Sequence, residues 1–176
     1  NGVTSKNVSL ENGIVDIKID ETNKIGGALE SKSYYSYGSF EMVAKADGIS
    51  GICYSLWTFF YEDNGNVNHE IDIELPGGNR SDVISFSNLL NTNYIKENLS
   101  QSQDVKFQDV LESNDEFYFN DGNWHTFGFD WYTDPEYVVY YVDGKVSAIS
   151  NVFVPSKQAR LWVGCWFPVS SGFVGS

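Results

Sequence analysis

The 176-residue chain is poor in cysteine, arginine and proline, and it contains no long apolar run. Its two cysteines, Cys53 and Cys165, lie far apart with neither CxxC nor Cys/His spacing, which excludes a disulfide scaffold and leaves both as small buried apolar side chains. Its two arginines, Arg80 and Arg160, form no cluster of guanidinium forks for sulfated or phosphorylated ligands. Against 24 Asp and Glu stand 11 Lys and Arg, and the net charge of −13 repels phosphate backbones and anionic membrane surfaces. Nucleic acid is therefore excluded as a partner, and a neutral ligand is expected. No stretch approaches the ~18 apolar residues of a membrane span, so no membrane insertion is expected. No Met-led leader precedes Asn1, and the chain reads as mature or trimmed. With four prolines, no linker, no repeat and no low-complexity tract, one domain over residues 1–176 is expected, acting as a monomer.

What the chain does have is aromatic side chains, 12 Phe, 11 Tyr and 5 Trp, within a composition that is 41% hydrophobic. That excludes collagen-like, coiled-coil and disordered classes. At this length roughly two thirds of the unfolded surface can be buried, enough for a core without disulfide or metal staples. Apolar residues recur with period two in Val15–Ile19, Ser39–Ala44, Ile52–Phe60, Glu70–Leu75, Val83–Leu89, Thr126–Trp131, Tyr137–Val142 and Leu161–Trp166. Turn clusters separate them, among them Glu11-Asn12-Gly13, Pro76-Gly77-Gly78-Asn79, Asp121-Gly122-Asn123 and Asp143-Gly144. Many short antiparallel strands with such spacing give an all-β sandwich or jelly roll. The one candidate helix, Asp104–Glu112, has poor periodicity, and residues 94–120 are read as a long polar insertion.

One segment carries chemistry. In His69-Glu70-Ile71-Asp72-Ile73-Glu74-Leu75 strict alternation sends Ile71, Ile73 and Leu75 to the core and Glu70, Asp72 and Glu74 to the other face. A solvated strand face commonly looks like this, but three like charges about 6.6 Å apart repel, and a structural sheet would alternate signs. Cα atoms of Glu70 and Glu74 are about 13 Å apart in a strand, and two inclined glutamate arms leave about 5 Å between carboxyl groups, the gap of a retaining glycosidase. One carboxylate would attack the anomeric carbon while the other donates a proton to the leaving oxygen. Asp72 between them can accept a hydrogen bond or share a proton, and crowded charge raises one member's proton affinity. Sugar rings also need flat apolar walls, which Trp57, Phe59 and Trp166 could supply, whereas Trp124, Trp131 and Trp162 are expected in the core.

The chain resembles glycoside hydrolase family 16, the group of lichenases, laminarinases and xyloglucan endotransglycosylases. The segments that carry the resemblance are GGALESKSYYSYGSFEMVAKA, GICYSLWTFF, HEIDIELPG, NWHTFGFDW, VVYYVDGK and ARLWVGCWFP, in the family's order over nearly the whole chain. The resemblance implies a concanavalin-like β-jelly-roll sandwich of two antiparallel sheets with a concave substrate cleft. It implies Glu70 as nucleophile, Asp72 as assisting acid and Glu74 as general acid/base, with Trp57, Phe59, Asn88 and Trp166 binding substrate; Trp166 matches the tryptophan of the family's LWN segment. It further implies a secreted, periplasmic or cell-surface protein that acts on a neutral polysaccharide. No cofactor is expected beyond a structural Ca²⁺ of the family's convex face, for which no ligand set is visible.

Three departures from the family pattern stand out. Ala28 and Glu30 replace a cleft arginine ahead of the YGxxE strand, Asn68 stands where lichenases place tryptophan, and His69 stands where Asp or Gly is commoner. His69 alternates to the core side, which favours a structural role. The family also carries strands before Asn1 and after Gly175, so the resemblance implies a chain trimmed of terminal strands, with an open sheet edge. The compact ExDxE form lacks the bulge of laminarinases, agarases and carrageenases, resembles lichenases and xyloglucan enzymes, and favours a β-1,4-containing neutral glucan. The resemblance as a whole implies a retaining endo-β-glucanase on mixed-linkage β-1,3-1,4 or β-1,3 glucan. A transglycosylase on xyloglucan-like chains, an endo-β-galactanase and an inactive sugar-binding module on the same fold remain open alternatives.

Overall fold

The structure is a computed structural model that describes residues 2–61, 67–91, 98–112, 117–169 and 173–174. Its strands are β1 (Val8–Glu11), β2 (Ile14–Ile17), β3 (Gly27–Tyr35), β4 (Gly38–Ala44), β5 (Cys53–Tyr61), β6 (Asn68–Pro76), β7 (Val83–Asn91), β8 (Asn98–Lys106), β9 (His125–Thr133), β10 (Glu136–Val142), β11 (Lys145–Ser150) and β12 (Ala159–Trp166). They form a six-stranded sheet in the order β3-β12-β5-β6-β7-β8, a four-stranded sheet β11-β10-β9-β4 and the hairpin β1-β2. Every ladder between named strands is antiparallel. Turn chemistry fixes two hairpins: Asn12-Gly13 and Asp143-Gly144 both take positive φ at both positions, the primed geometry that matches strand twist.

The two larger sheets enclose the core. Leu56, Ile71, Ile73, Leu75, Ile84 and Phe86 from one meet Phe127, Phe129, Trp131, Val138, Tyr140 and Val142 from the other, all buried. Fully burying each such side chain contributes roughly 1.5–3 kcal/mol before entropy is counted. Trp131 is in the core as expected, its indole Nε1 donating to Pro155 O at 2.8 Å.

Residues 94–120 are not an irregular insertion. Their described part forms β8, at the sheet edge, and a short helix α1 (Phe107–Leu111) that buries Phe107 and Val110 against the sandwich; 94–97 and 113–116 lie outside the described residues. The sequence hid β8 because an edge strand needs few apolar side chains, and Ser100, Ser102, Gln103 and Asp104 are more polar than any period-two template.

Candidate active site

β6 alternates as its sequence demands. His69, Ile71, Ile73 and Leu75 are buried, while Asn68, Glu70, Asp72 and Glu74 are partly exposed on the opposite, open face of the six-stranded sheet. Register extends that face sideways. Phe59, Trp57 and Ser55 of β5 oppose Glu70, Asp72 and Glu74, and Leu89, Ser87 and Ser85 of β7 oppose them on the other side. One strand further, Trp162 of β12 opposes Trp57, and Trp166 opposes Cys53. A cavity of about 250 Å³ lies over this floor, lined by Glu70, Asp72, Glu74, Trp57 and Trp166 and closed on one side by Gly2 and Val3.

Each carboxylate has its own neutral donor, from a different strand. Asn68 Nδ2 donates to Glu70 Oε2 at 2.8 Å, Ser87 Oγ donates to Asp72 Oδ2 at 2.9 Å, and the thiol of Cys53 lies 3.8 Å from Glu74 Oε1. Behind Ser87, the hydroxyl of Tyr140 crosses the core to donate to its backbone carbonyl at 2.8 Å. Burial, more than the mutual repulsion expected from sequence, is the leading cause that raises the proton affinity of all three acids. Asp72 is pushed well above the usual carboxylate range, first by burial and then by the charges of Glu70 and Glu74, and as an acid it donates a hydrogen bond to Glu70. Burial and then the charge of Glu70 push Glu74 up to about 7. Glu70 is raised by burial, with the hydrogen bonds from Asn68 and Asp72 acting against the rise.

The structure brings Glu70, Asp72, Glu74, Trp57, Phe59 and Trp166 onto one face, and it separates Asn88 from them. Asn88 opposes Ile71, faces the core at 1% exposure, and donates to Val152 O at 2.6 Å and Phe153 O at 2.8 Å. It is therefore a strut between β7 and the loop before β12, and an asparagine that does stand on the open face is Asn68. Trp162, expected in the core, stacks on Trp57 with centroids 5.5 Å apart and an interplanar angle of 16°. Trp162 and Trp166 sit four apart in one strand and so share a face, a parity signal that the sequence carried. Trp124, also expected in the core, is 54% exposed beside a separate groove. His69 is a core residue, its Nδ1 accepting from Ser156 N at 3.2 Å.

Arg160 of β12, opposite Tyr34 of β3, reaches Glu30: its Nη1 lies 3.1 Å from Glu30 Oε1, with the guanidinium over the Tyr34 ring at 4.9 Å. Both cysteines are buried thiols, but Cys53, against Glu74, is more than apolar filler. Among the described residues no three His, Cys, Asp or Glu side chains gather in one cluster that could hold a metal ion.

A two-sheet jelly-roll sandwich with three alternating carboxylates and a tryptophan wall on its open face defines a class of carbohydrate-active protein. The family model "Glycosyl hydrolases family 16" matches residues 2–167, and the chain belongs to that family. It is similar to a xylanase/beta-glucanase of Ruminococcus flavefaciens, 27% identical over 92% of this chain and 19% of that one. A xyloglucan endotransglucosylase/hydrolase protein 3 of Arabidopsis thaliana is 31% identical over 85% of this chain and 49% of its own. The chain thus spans less than half the length of these two curated relatives. The crystallised beta-glucanase of Bacillus licheniformis superposes with a TM-score of 0.77 over 99% of this chain and 76% of its own, at 24% identity, a likeness of fold.

Proposed function

We propose that the protein is a retaining endo-β-glucanase that hydrolyses internal β-linkages of a neutral glucan, mixed-linkage β-1,3-1,4 or β-1,3. The observation that carries this reading is the unequal treatment of two glutamates on one face. Glu70 accepts hydrogen bonds from Asn68 and Asp72, which favour its ionised form, while among the described residues Glu74 has a weak thiol donor and is pushed up to about 7 by burial and the charge of Glu70. Environments that push two carboxyl groups apart divide nucleophile from acid.

In the first step Glu70 attacks the anomeric carbon, the glycosidic bond breaks, and the proton of Glu74 passes to the leaving oxygen. In the second, Glu74 takes a proton from water, whose oxygen displaces Glu70 and restores the β-configuration. Asp72, whose protonated form burial favours, donates to the nucleophile in that form and steadies it without adding charge. Trp57, Trp162 and Trp166 give sugar rings an apolar wall, Phe59 continues it past Glu70, and the lack of an arginine cluster fits an uncharged chain. The names of the relatives, beta-glucanases among them, support the glucan. A polymer of that size argues for work outside the cell, by a secreted, periplasmic or surface-exposed protein acting as a monomer.

Transglycosylation is the second reading, favoured by the 31% identity to the plant endotransglucosylase/hydrolase. The test is release of new reducing ends from mixed-linkage glucan, laminarin, xyloglucan and galactan, with and without an oligosaccharide acceptor. Early loss of viscosity and acceptor-independent release on a glucan support the proposal. Acceptor-dependent exchange without net release supports transfer, and binding without cleavage of any of the four overturns both.

A further inference from the structure

We infer that Asn68 is a positioning residue for the nucleophile: from one pleat upstream on β6, its amide clamps the carboxylate of Glu70 in the orientation for attack. This rests on Glu70 being the nucleophile. The geometry is specific. Asn68 and Glu70 share the open face, and Nδ2 meets Oε2 at 2.8 Å. The opposite amide orientation would set a carbonyl oxygen against a carboxylate, so the donor end is the one that faces Glu70. The other end, Oδ1, is buried and makes no hydrogen bond. The hydrogen bond to Glu70 is thus the one that the Asn68 side chain makes among the described residues.

Few other groups can set the behaviour of Glu70. From β5 and β7 it is faced by Phe59 and Leu89, neither titratable. On β6 itself stand Asp72 and Glu74. Asp104 of β8 is opposite Ser85 and acts on Glu74, and Arg160 of β12 lies one strand beyond Phe59, paired with Glu30. Asn68 is thus a donor to Glu70 that does not titrate, unlike Asp72, and it favours the ionised form without bringing a charge that would also bind Glu74.

Asn68→Ala and the equal-sized Asn68→Asp test this, read by pH profiles of kcat/KM and by trapping with a 2-deoxy-2-fluoro β-glucoside, which reports attack by the nucleophile. Asn68→Ala is expected to lower kcat roughly tenfold to a hundredfold, the range for one hydrogen bond to a charged group, with KM nearly unchanged. Its acid limb should move to higher pH, and that of Asn68→Asp further still, because a second carboxyl there shares the proton. An unmoved acid limb in both variants, or loss of the fold in both, would overturn the positioning role and leave Asn68 structural. Glu70→Ala run alongside separates the two ideas: near-normal activity in that variant sinks the nucleophile assignment itself, whatever Asn68 does.

Discussion

Cys53 and Glu74 meet on the floor of the cleft, Sγ 3.8 Å from Oε1, so the carboxyl assigned as acid/base rests against a fully buried thiol. The thiol favours the ionised form of Glu74 and opposes the burial that raises it. Cys53→Ala should therefore move the basic limb of the activity profile to higher pH, and Cys53→Ser, a stronger donor, to lower pH. Profiles of kcat/KM for the two variants check this, and shifts in the same direction would refute it.

Burial and the glutamates beside it favour the protonated form of Asp72, in which Asp72→Asn exchanges one neutral donor for another. That variant should fold, keep both limbs of its pH profile nearly in place and lose part of its rate. Asp72→Ala removes the donor from Glu70 and should raise the acid limb. Asp104→Asn, which removes a charge that raises Glu74, should lower the basic limb. A large downward move of the basic limb in Asp72→Asn would show that Asp72 is ionised in the working enzyme.

Trp57 and Trp162 stack on each other, and Trp166 meets Trp57 edge-on at 5.3 Å. Trp57→Ala and Trp162→Ala should each raise KM by roughly 2- to 10-fold, with a coupling of about 0.5–1.5 kcal/mol in the double-mutant cycle. Binding should respond little to salt, because the substrate carries no charge. Additive effects, or steep salt dependence, would point to independent subsites or an anionic polymer.

Across the sandwich, His125 is held between Asp143 at 2.8 Å and Asp121 at 3.1 Å. Burial disfavours its charged form, but the hydrogen bonds and charges of Asp143 and Asp121 outweigh burial and raise its proton affinity. A raised folded value stabilises fully below the unfolded value of about 6.5 and is lost as pH rises through the folded one. The melting-temperature advantage of the wild type over His125→Gln should thus be largest near pH 5.5 and shrink toward pH 9 by roughly a few degrees. A constant gap over that range would mean the imidazole is not charged in the fold.

The parts of this fold that the sequence displayed are those with one wet and one dry face. β5, β6, β7, β9, β10 and β12 alternate cleanly because a neighbouring strand on each side and a core beneath leave side chains only two environments. β3, β4, β8 and β11 are the edges of the two larger sheets, where polar residues on either face cost little; alternation fades in β3, β8 and β11, while β4 keeps it because Phe40, Met42 and Ala44 pack on the core. The carboxylates were legible for the same reason as β6. Asn88 was misjudged because the family resemblance was followed over alternation: Ile84 and Phe86 put Asn88 on the core face by parity, as its register opposite Ile71 shows. The pairing of Arg160 with Glu30 joins residues distant in the chain, and no local pattern announces it.

The division of labour between Glu70 and Glu74 is tested most directly by azide rescue of their alanine variants on an activated aryl β-glucoside, with the anomeric configuration of the azide product read by proton NMR. In Glu70→Ala the anion replaces the missing nucleophile in a single inversion, so an α-glycosyl azide is expected. In Glu74→Ala it attacks the glycosyl-enzyme formed on Glu70, so a β-glycosyl azide is expected. The reverse pair of products would exchange the two roles, and a β-glycosyl azide from Glu70→Ala would contradict Glu70 as the nucleophile.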